Sequence, residues 1–248
     1  SEGLKDNKIY HAMLASGDLG VIIFYIQLAR VFEDDAYLQK AFHLLEKVFD
    51  NYKYRSGLYS FCAGAAGLVW LLGYLIKEDY VSEDMYDSVA AMESSLIHKS
   101  IYLLERKDYD YFHQSLGIFL SLLSHNVRTV NKDELIRHVL LKLKEMGEQD
   151  HNGHYRWLDV DHKTQQIKPG TYNFGMAHGI PSIVSILCKA HAHTANEALK
   201  NDILELAASA GLFLLSYESK NKTPSLYPYC VETAVPVDYH SRLAYCYG

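Results

Sequence analysis

The chain has 248 residues, 49% of them hydrophobic, which is enough to bury a large core in one or two domains. Its formal net charge of -6 argues against nucleic acid as the main partner, because phosphate binding requires a basic surface. No signal peptide is recognisable, and no apolar run approaches the roughly 18 residues that a transmembrane helix needs. The 4 cysteines are scattered without a CxxC pair, which favours a reducing, cytoplasmic location over a disulfide scaffold.

The chain begins with two predicted helices of different character. Residues 21–32 follow Gly17 and are apolar almost all round, which predicts a helix buried on every side. After an acidic turn, apolar residues from Leu38 to Phe49 recur at helical spacing with charged residues opposite them. This second pattern predicts an outer helix that is buried on one face only.

The same pair of patterns recurs along the chain. Further inner helices are predicted over residues 68–76, 118–123 and 183–187, and each is followed by an amphipathic partner. The turns that precede the inner helices lie at Gly17, Gly64, Gln114, Gly179 and Gly248. Such a period indicates a helical repeat. Inner helices this apolar favour a closed ring over an open solenoid, so the predicted fold is all-α, an α/α toroid with four full pairs and the opening of a fifth.

Two segments lengthen the later repeats, and glycines mark the turns. Residues 150–172 are predicted to form a loop or hairpin, and residues 220–239, with three prolines, an irregular loop. Glycine tolerates positive φ and lets two backbones approach closely, which suits a sharp turn into a crowded inner helix. Parallel inner helices would then gather their free N–H groups at one end of the ring.

Four polar residues lie beside these turns: Asp110, His178, Arg242 and Cys246. Taken singly, each has an ordinary explanation as a capping carboxylate, a helix-start histidine, a solvated charge or a buried thiol. Their shared placement beside successive turns predicts that the ring brings them to one central cavity.

Three segments resemble consecutive motifs of the lanthionine synthetase C-like (LanC-like) cyclases. They are residues 109–118 (YDYFHQSLGI), 173–180 (NFGMAHGI) and 241–248 (SRLAYCYG). The resemblance implies an α/α toroid around a zinc ion that two cysteines and a histidine hold, with Cys246 in the place of the first cysteine. It also implies that Asp110, His178, Arg242 and Tyr247 match the active-site residues of the family. On this basis residues 1–248 are expected to form a single toroid domain that lacks its C-terminal repeats.

The sequence departs from the family pattern at several positions. Gln114 and Ser182 replace turn glycines, Tyr245 replaces a tryptophan, and His113 stands where an acidic residue is common. The later cysteine-histidine-glycine motif, which carries the other two zinc ligands, is not found among these residues. Of the three zinc ligands of the family, only Cys246 is therefore matched in this sequence.

The activity that the resemblance implies is a zinc-dependent peptide cyclase of lantibiotic biosynthesis, which adds cysteine thiols to dehydroalanine or dehydrobutyrine to form thioether rings. Its substrate would be a dehydrated precursor peptide, and a dehydratase and a transporter would be its partners. His178 is the expected acid/base, because histidine exchanges protons near neutral pH. Arg242 would orient Asp110 or stabilise negative charge, and Tyr247 would position Asp110 or His178.

Two other functions fit the sequence. A degenerate LanC-like toroid could bind peptides or act as a scaffold without catalysis, which the missing ligands and replaced glycines favour. An α/α-toroid glycosidase would need paired carboxylates, and Asp110 has no obvious companion at an equivalent turn.

Overall fold

The computed structural model describes residues 13–15, 17–52, 58–124, 131–161, 164, 166–242 and 244. Its α-helices are α1 (Asp18–Phe32), α2 (Asp35–Tyr52), α3 (Ala65–Lys77), α4 (Asp87–Glu105), α5 (Ser115–Ser124), α6 (Lys132–Met146), α7 (Ile180–Ala192) and α8 (Glu197–Leu215), and a short 3₁₀ helix, Glu83–Tyr86, leads into α4. The observed helices thus follow the predicted inner and outer pairs.

The helices form two layers. The inner layer runs α1, α3, α5, α7, and each of these helices packs against the next. In the outer layer α2 covers α1, α4 covers α3 and α5, α8 covers α7, and α6 bridges α4 and α8. This is the α/α toroid arrangement that the sequence predicts.

Composition explains which helices lie inside. Every residue of α5 except the last, Ser124, is buried, and nine residues of α3 are buried as well. The outer helix α6 buries a single stripe, formed by Leu135, Ile136, Val139, Leu140 and Leu143. Its first turn is capped by Asn131, whose side chain accepts a hydrogen bond from the backbone N–H of Asp133. Because a helix without a polar face loses most from contact with water, α3 and α5 occupy the inside of the molecule.

The first helix is less buried than its composition predicts. Phe24 is 59% exposed, Phe32 63% and Val31 73%, so the expectation of burial on every side is wrong for α1. Its buried residues are Leu19, Ile22, Ile26 and Ala29. The physical reason is position: α1 is the first member of the inner layer, and among the described elements it packs mainly on α2 and α3.

The turn glycines are required by close contact and not by positive φ. The caps Gly64 and Gly179 have φ of -162° and -112°, which is extended backbone, so the expectation of positive φ is wrong at these turns. The expectation of close approach is confirmed. A Cβ on Gly179 would lie 2.2 Å from the carbonyl oxygen of Asn173, and one on Gly117 would lie 2.0 Å from that of Tyr111. A side chain at either position would push the preceding segment off the helix.

Three small antiparallel sheets occupy the later segments. The strands are β1 (Glu148–Gln149), β2 (Tyr155–Arg156), β3 (Val160–Asp161), β4 (Gln166–Ile167), β5 (Thr171–Asn173) and β6 (Cys230–Glu232). They pair as β1 with β2, β3 with β4 and β5 with β6, and Tyr172 lies opposite Val231 in the last pair. The predicted hairpin is therefore present, and the predicted irregular loop contributes one strand. Among the described residues no helix combines the length and apolarity that a membrane span requires.

Candidate functional site

The turns before the inner helices are joined to one another at one end of the inner layer. The backbone N–H of Leu14, before α1, donates to the carbonyl of Cys62, before α3 (2.7 Å). The backbone N–H of Cys62 in turn donates to the carbonyl of Phe112, before α5 (3.0 Å). Side chains carried by these turns therefore meet at the N-terminal ends of the inner helices, as the sequence predicts.

Asp110 and His178 form a buried pair between two successive turns. The Nδ1–H of His178 donates to Oδ2 of Asp110, which is 68 residues away in the sequence. The Asp110 side chain is 4% exposed and that of His178 17%. The other carboxylate oxygen, Oδ1, accepts the backbone N–H of His113 (2.7 Å). Both oxygens of the buried carboxylate thus have a donor, and the imidazole is fixed in orientation.

The turn that carries His178 is held by its own hydrogen bonds. The side chain of Asn173 accepts the backbone N–H of Gly175 (2.8 Å), and the carbonyl of Gly175 accepts the N–H of Gly179 (2.8 Å). His178 is the last residue before the cap of α7, so its side chain stands at the beginning of that helix. The sequence motif around His178 is therefore a turn that places one imidazole.

A second pair of side chains lies against the first, and sequence reasoning missed it. Sγ of Cys62 lies 3.1 Å from Nδ1 of His113. The ring of His113 stacks on that of His178, with centroids 5.7 Å apart and planes at 14°. Burial, with a smaller effect of the Asp110 charge, raises the pKa of the Cys62 thiol. The signal was positional: His113 immediately precedes the turn residue Gln114, as His178 precedes Gly179, and Cys62 lies two residues before Gly64.

An aromatic cavity of about 340 Å³ opens beside Cys62. The rings of Phe61, Trp70, Tyr111 and Phe112 form most of its wall, and Cys62 lines it as well. The Phe112 ring also meets the His178 ring edge-on, with centroids 5.9 Å apart. The cavity therefore has room for apolar side chains beside Cys62 and Phe112, which contact the rings of His113 and His178 respectively.

A further buried carboxylate, Asp108, lies close to Asp110. Burial and the charge of Asp110 raise the pKa of Asp108 to about 6, while Lys99 and Arg106 lower it by less. Asp108 is 1% exposed. Asp108 and Asp110 are thus two neighbouring buried carboxyl groups, and within the described part of the chain Asp110 is the one that pairs with a histidine.

The remaining residues predicted for the site stand as follows. Arg242 is exposed, and its carbonyl accepts the backbone N–H of Ala244 (2.8 Å). Cys246 and Tyr247 lie outside the described residues. Of the five predicted site residues, the structure brings Asp110 and His178 into contact, and the roles of the other three stay predictions.

The fold and these side chains define a class: an α/α toroid with an imidazole–carboxylate pair at the N-terminal ends of its inner helices. A family model described as "Lanthionine synthetase C-like protein" matches residues 8–248, so the chain belongs to the LanC-like family. Among solved structures the chain is similar to "Nisin cyclase", at 21% sequence identity and a TM-score of 0.73. That similarity covers 96% of this chain and 62% of the nisin cyclase chain, so the chain spans less than two thirds of that protein. No curated protein sequence matches the chain.

Proposed function

We propose that this protein is a peptide cyclase, which adds a cysteine thiol of a dehydrated precursor peptide to a dehydroalanine or dehydrobutyrine residue of the same peptide. The observation that carries this proposal is the hydrogen-bonded pair of Asp110 and His178, which two separate repeats of a LanC-like chain contribute. The similarity to nisin cyclase supports the same class of activity.

The residue types fit the chemistry of this addition. A carbon–sulfur bond forms at the β-carbon, the thiol loses its proton, and the α-carbon gains one, so protons balance over the reaction. With Nδ1 bound to Asp110, His178 exchanges the proton through Nε2. Asp110 holds the ring in that tautomer and stabilises the imidazolium when it forms. Arg242 and Tyr247 retain the roles proposed from the motifs, which are to stabilise negative charge and to position the pair.

The aromatic cavity supports a peptide substrate. Its wall of Phe61, Trp70, Tyr111 and Phe112 would contact the apolar side chains that flank a dehydrated residue. Such contacts would exclude water from the reacting atoms and hold the two ends of the future ring close together. Positioning is a large part of the task, because the thiol and the acceptor belong to the same flexible chain.

Zinc is the metal that the family resemblance implies, and it would supply a thiolate at neutral pH by lowering the pKa of the substrate thiol. Within the described ranges no group of three or more His, Cys, Asp or Glu side chains is arranged to hold a metal ion. The described residues alone therefore do not fit a zinc site. The proposal that zinc binds rests on Cys246 and on ligands outside the described residues.

The experiment is incubation of the purified protein with a peptide that carries one dehydroalanine and one cysteine. Ring closure leaves the peptide mass unchanged but removes its reaction with a maleimide tag, so the fraction of untagged peptide measures the activity. Peptide incubated without protein gives the background rate. If the peptide binds but its count of free thiols stays at that background, the protein is a non-catalytic peptide-binding toroid and the proposal is wrong.

Zinc dependence has its own test. If elemental analysis of the protein at neutral pH detects zinc, Cys246→Ala should abolish both metal retention and ring closure. Cys188→Ala, which removes an exposed cysteine on α7, is the matched control and should retain both. Cyclase activity without bound zinc would leave the cyclase proposal in place and remove the metal from it.

A further inference from the structure

A second cavity lies along the inner helices and has no part in the function proposed so far. Its volume is about 410 Å³, within the ~300–1,000 Å³ that is usual for ligand sites. Phe61 and Tyr111, from the turns before α3 and α5, line it together with Trp70 of α3. The same three rings line the aromatic cavity beside Cys62, so the two cavities are neighbours.

The second cavity, which we call the basic cavity, also reaches the C-terminal ends of the inner helices. Lys77 is the last residue of α3, Lys189 lies in the last turn of α7, and His193 is the C-cap of α7. Both lysines are exposed, and within the described part of the chain neither has a carboxylate partner. None of the described residues that line the cavity is acidic. A ligand with a negative charge would therefore meet two ammonium groups that are available to bind it.

The lysines act on a common neighbour. Burial lowers the pKa of His193, and the positive charges of Lys132, Lys189 and Lys77 lower it further. Lys132, at the start of α6, also donates from Nζ to the carbonyl of Leu123 at 3.2 Å. A lysine in the last turn of a helix interacts favourably with the helix dipole. That interaction explains Lys77 and Lys189 singly, but it does not explain why both line one cavity with an aromatic wall.

We propose that the basic cavity is a subsite for the substrate peptide, in which Lys77 and Lys189 bind the carboxylate of an acidic side chain. The rings of Trp70 and Tyr74, which also line the cavity, would contact an apolar residue next to it. The inference rests on the proposed cyclase function. It narrows the substrate class to peptides that carry an acidic residue at a defined distance from the dehydrated residue.

The ends of the helices favour a carboxylate over a phosphate. Phosphate sites commonly offer backbone N–H groups at a helix N-terminus or the forked guanidinium of arginine. Here α3 and α7 present their C-terminal ends, whose free carbonyl oxygens repel a doubly charged anion more than a singly charged one. Among the described residues no arginine lines the cavity, and its cationic donors are the ammonium groups of lysines. A ligand with one negative charge and an apolar neighbour fits these walls best.

The length of α3 sets the spacing between the acidic residue and the reacting one. This helix has 13 residues, so at ~1.5 Å per residue it is about 20 Å long. Asp110 and His178 lie at the N-terminal end of the inner layer, and Lys77 lies at its C-terminal end. An extended peptide advances ~3.4 Å per residue, and the side chains of lysine and glutamate shorten the distance that its backbone must cover. We therefore expect the acidic residue about five residues from the dehydroalanine.

The first test measures binding in the free protein and needs no activity. The chain has 2 tryptophans, and Trp157 is 1% exposed with its indole N–H bound to the carbonyl of Leu143. A change in tryptophan fluorescence on adding a ligand therefore reports on Trp70. The probes are two capped tripeptides, phenylalanine-leucine-glutamate and phenylalanine-leucine-glutamine. We expect the parent to bind the glutamate probe about tenfold more tightly than the glutamine probe.

Charge variants locate the carboxylate. Lys77→Gln combined with Lys189→Gln should remove the preference, and Lys77→Glu combined with Lys189→Glu should favour a third probe that ends in lysine. Because both lysines are exposed, the variants are expected to fold, which circular dichroism checks. Lys220→Gln, at a 78%-exposed lysine after α8, is the control and should keep the preference of the parent. Equal affinity of the parent for the first two probes, or an undiminished preference in both double variants, would overturn the subsite.

The second test relates the subsite to ring closure. The substrates carry one cysteine, one dehydroalanine and one glutamate, placed two or five residues from the dehydroalanine on either side, and each has a glutamine counterpart. In the thiol-tagging assay we expect the glutamate at five residues, on one of the two sides, to lower KM about tenfold with little change in kcat. The glutamate at two residues should have no such effect. The advantage should vanish when Lys77→Gln and Lys189→Gln are combined.

The outcomes separate this inference from the function on which it rests. Ring closure with the same KM for the glutamate and glutamine substrates at five residues would overturn the subsite and leave the cyclase proposal in place. A parent that prefers the glutamate probe in the binding test but closes no ring would overturn the cyclase proposal. The carboxylate site at Lys77 and Lys189 would then stand as a binding site without catalysis.

Discussion

Two buried carboxylates of this protein show how similar burial serves different purposes. Asp110 and Asp159 are each 4% exposed, and each lies next to a nitrogen base that can carry a positive charge. Asp110 binds Nδ1 of His178, across two repeats. Asp159, just before β3, accepts a hydrogen bond from Nζ of Lys168, just after β4, at 2.6 Å and only nine residues away in the sequence.

The difference lies in the partner. The contact with Asp159 raises the pKa of Lys168 further above its ordinary value, so this ammonium stays charged over the whole physiological range. A cation that never loses its proton can neutralise a carboxylate but cannot exchange protons with a substrate. Histidine can, and His178 also lies at the end of the inner layer where several turns meet. The comparison favours a structural role for Asp159 and supports the catalytic role proposed for Asp110.

The largest effect is expected when the hydrogen-bonded pair of Asp110 and His178 is broken. Asp110→Asn keeps the shape of the side chain and removes its charge, so the imidazolium of His178 loses its stabilising partner. We expect the rate of ring closure to fall by a factor of about 10² to 10⁴, measured by thiol tagging. Asp159→Asn is the matched control and should retain the parent rate at a temperature well below its midpoint of unfolding. Equal loss of activity in both variants would contradict the division between the two carboxylates.

A smaller effect is expected when the pair of Asp159 and Lys168 is broken. It should change the stability of the protein and not the rate of ring closure. Lys168→Met leaves the carboxylate of Asp159 buried with Nδ2 of Asn173, at 3.3 Å, as its remaining side-chain donor. The side chain of Lys168 is 47% exposed, which screens the charge interaction. We therefore expect a loss of about 2 kcal/mol in the free energy of unfolding, measured by urea denaturation. An unchanged midpoint would show that water replaces the ammonium at no cost.

The sequence predicted the order of helices and turns better than the contacts that each helix makes. The positions of Gly64 and Gly179 before α3 and α7 were predicted because a close approach of two backbones excludes every side chain. The exposure of α1 was not predicted. Apolar composition tells which residues prefer burial, but it does not tell whether a neighbouring helix is there to cover them.

Part of the candidate site was also predictable from the sequence. Asp110 and His178 lie beside recurring turns, and a repeat fold brings equivalent turns together, so their meeting followed from the period of the sequence. The contact of Cys62 with His113 depends on the rotamers of two side chains and on how the turns before α3 and α5 are joined. No spacing rule contains that information. Strand β6 was missed because its partner β5 lies far away in the sequence.

A third buried carboxylate extends the comparison, because Asp108 shares the burial of the other two, while Lys99 and Arg106 lower its pKa by less than burial raises it. Its pKa, raised to about 6 by burial and by the charge of Asp110, exceeds the ordinary value of 3.8 in the unfolded chain. Between these two pH values the folded protein therefore binds more protons than the unfolded chain, so protonation of Asp108 stabilises the fold as pH falls.

The smallest expected effect is on the pH dependence of stability. The stability of the parent relative to Asp108→Asn should increase by about 1 kcal/mol when the pH falls from ~7 to ~5, measured by urea denaturation at both values. Above about pH 7 the ionised carboxylate is a full cost to the parent, so Asp108→Asn should be the more stable protein there. A constant difference between parent and Asp108→Asn would mean that Asp108 stays charged in the fold, and that Lys99 and Arg106 compensate it as fully as Lys168 compensates Asp159.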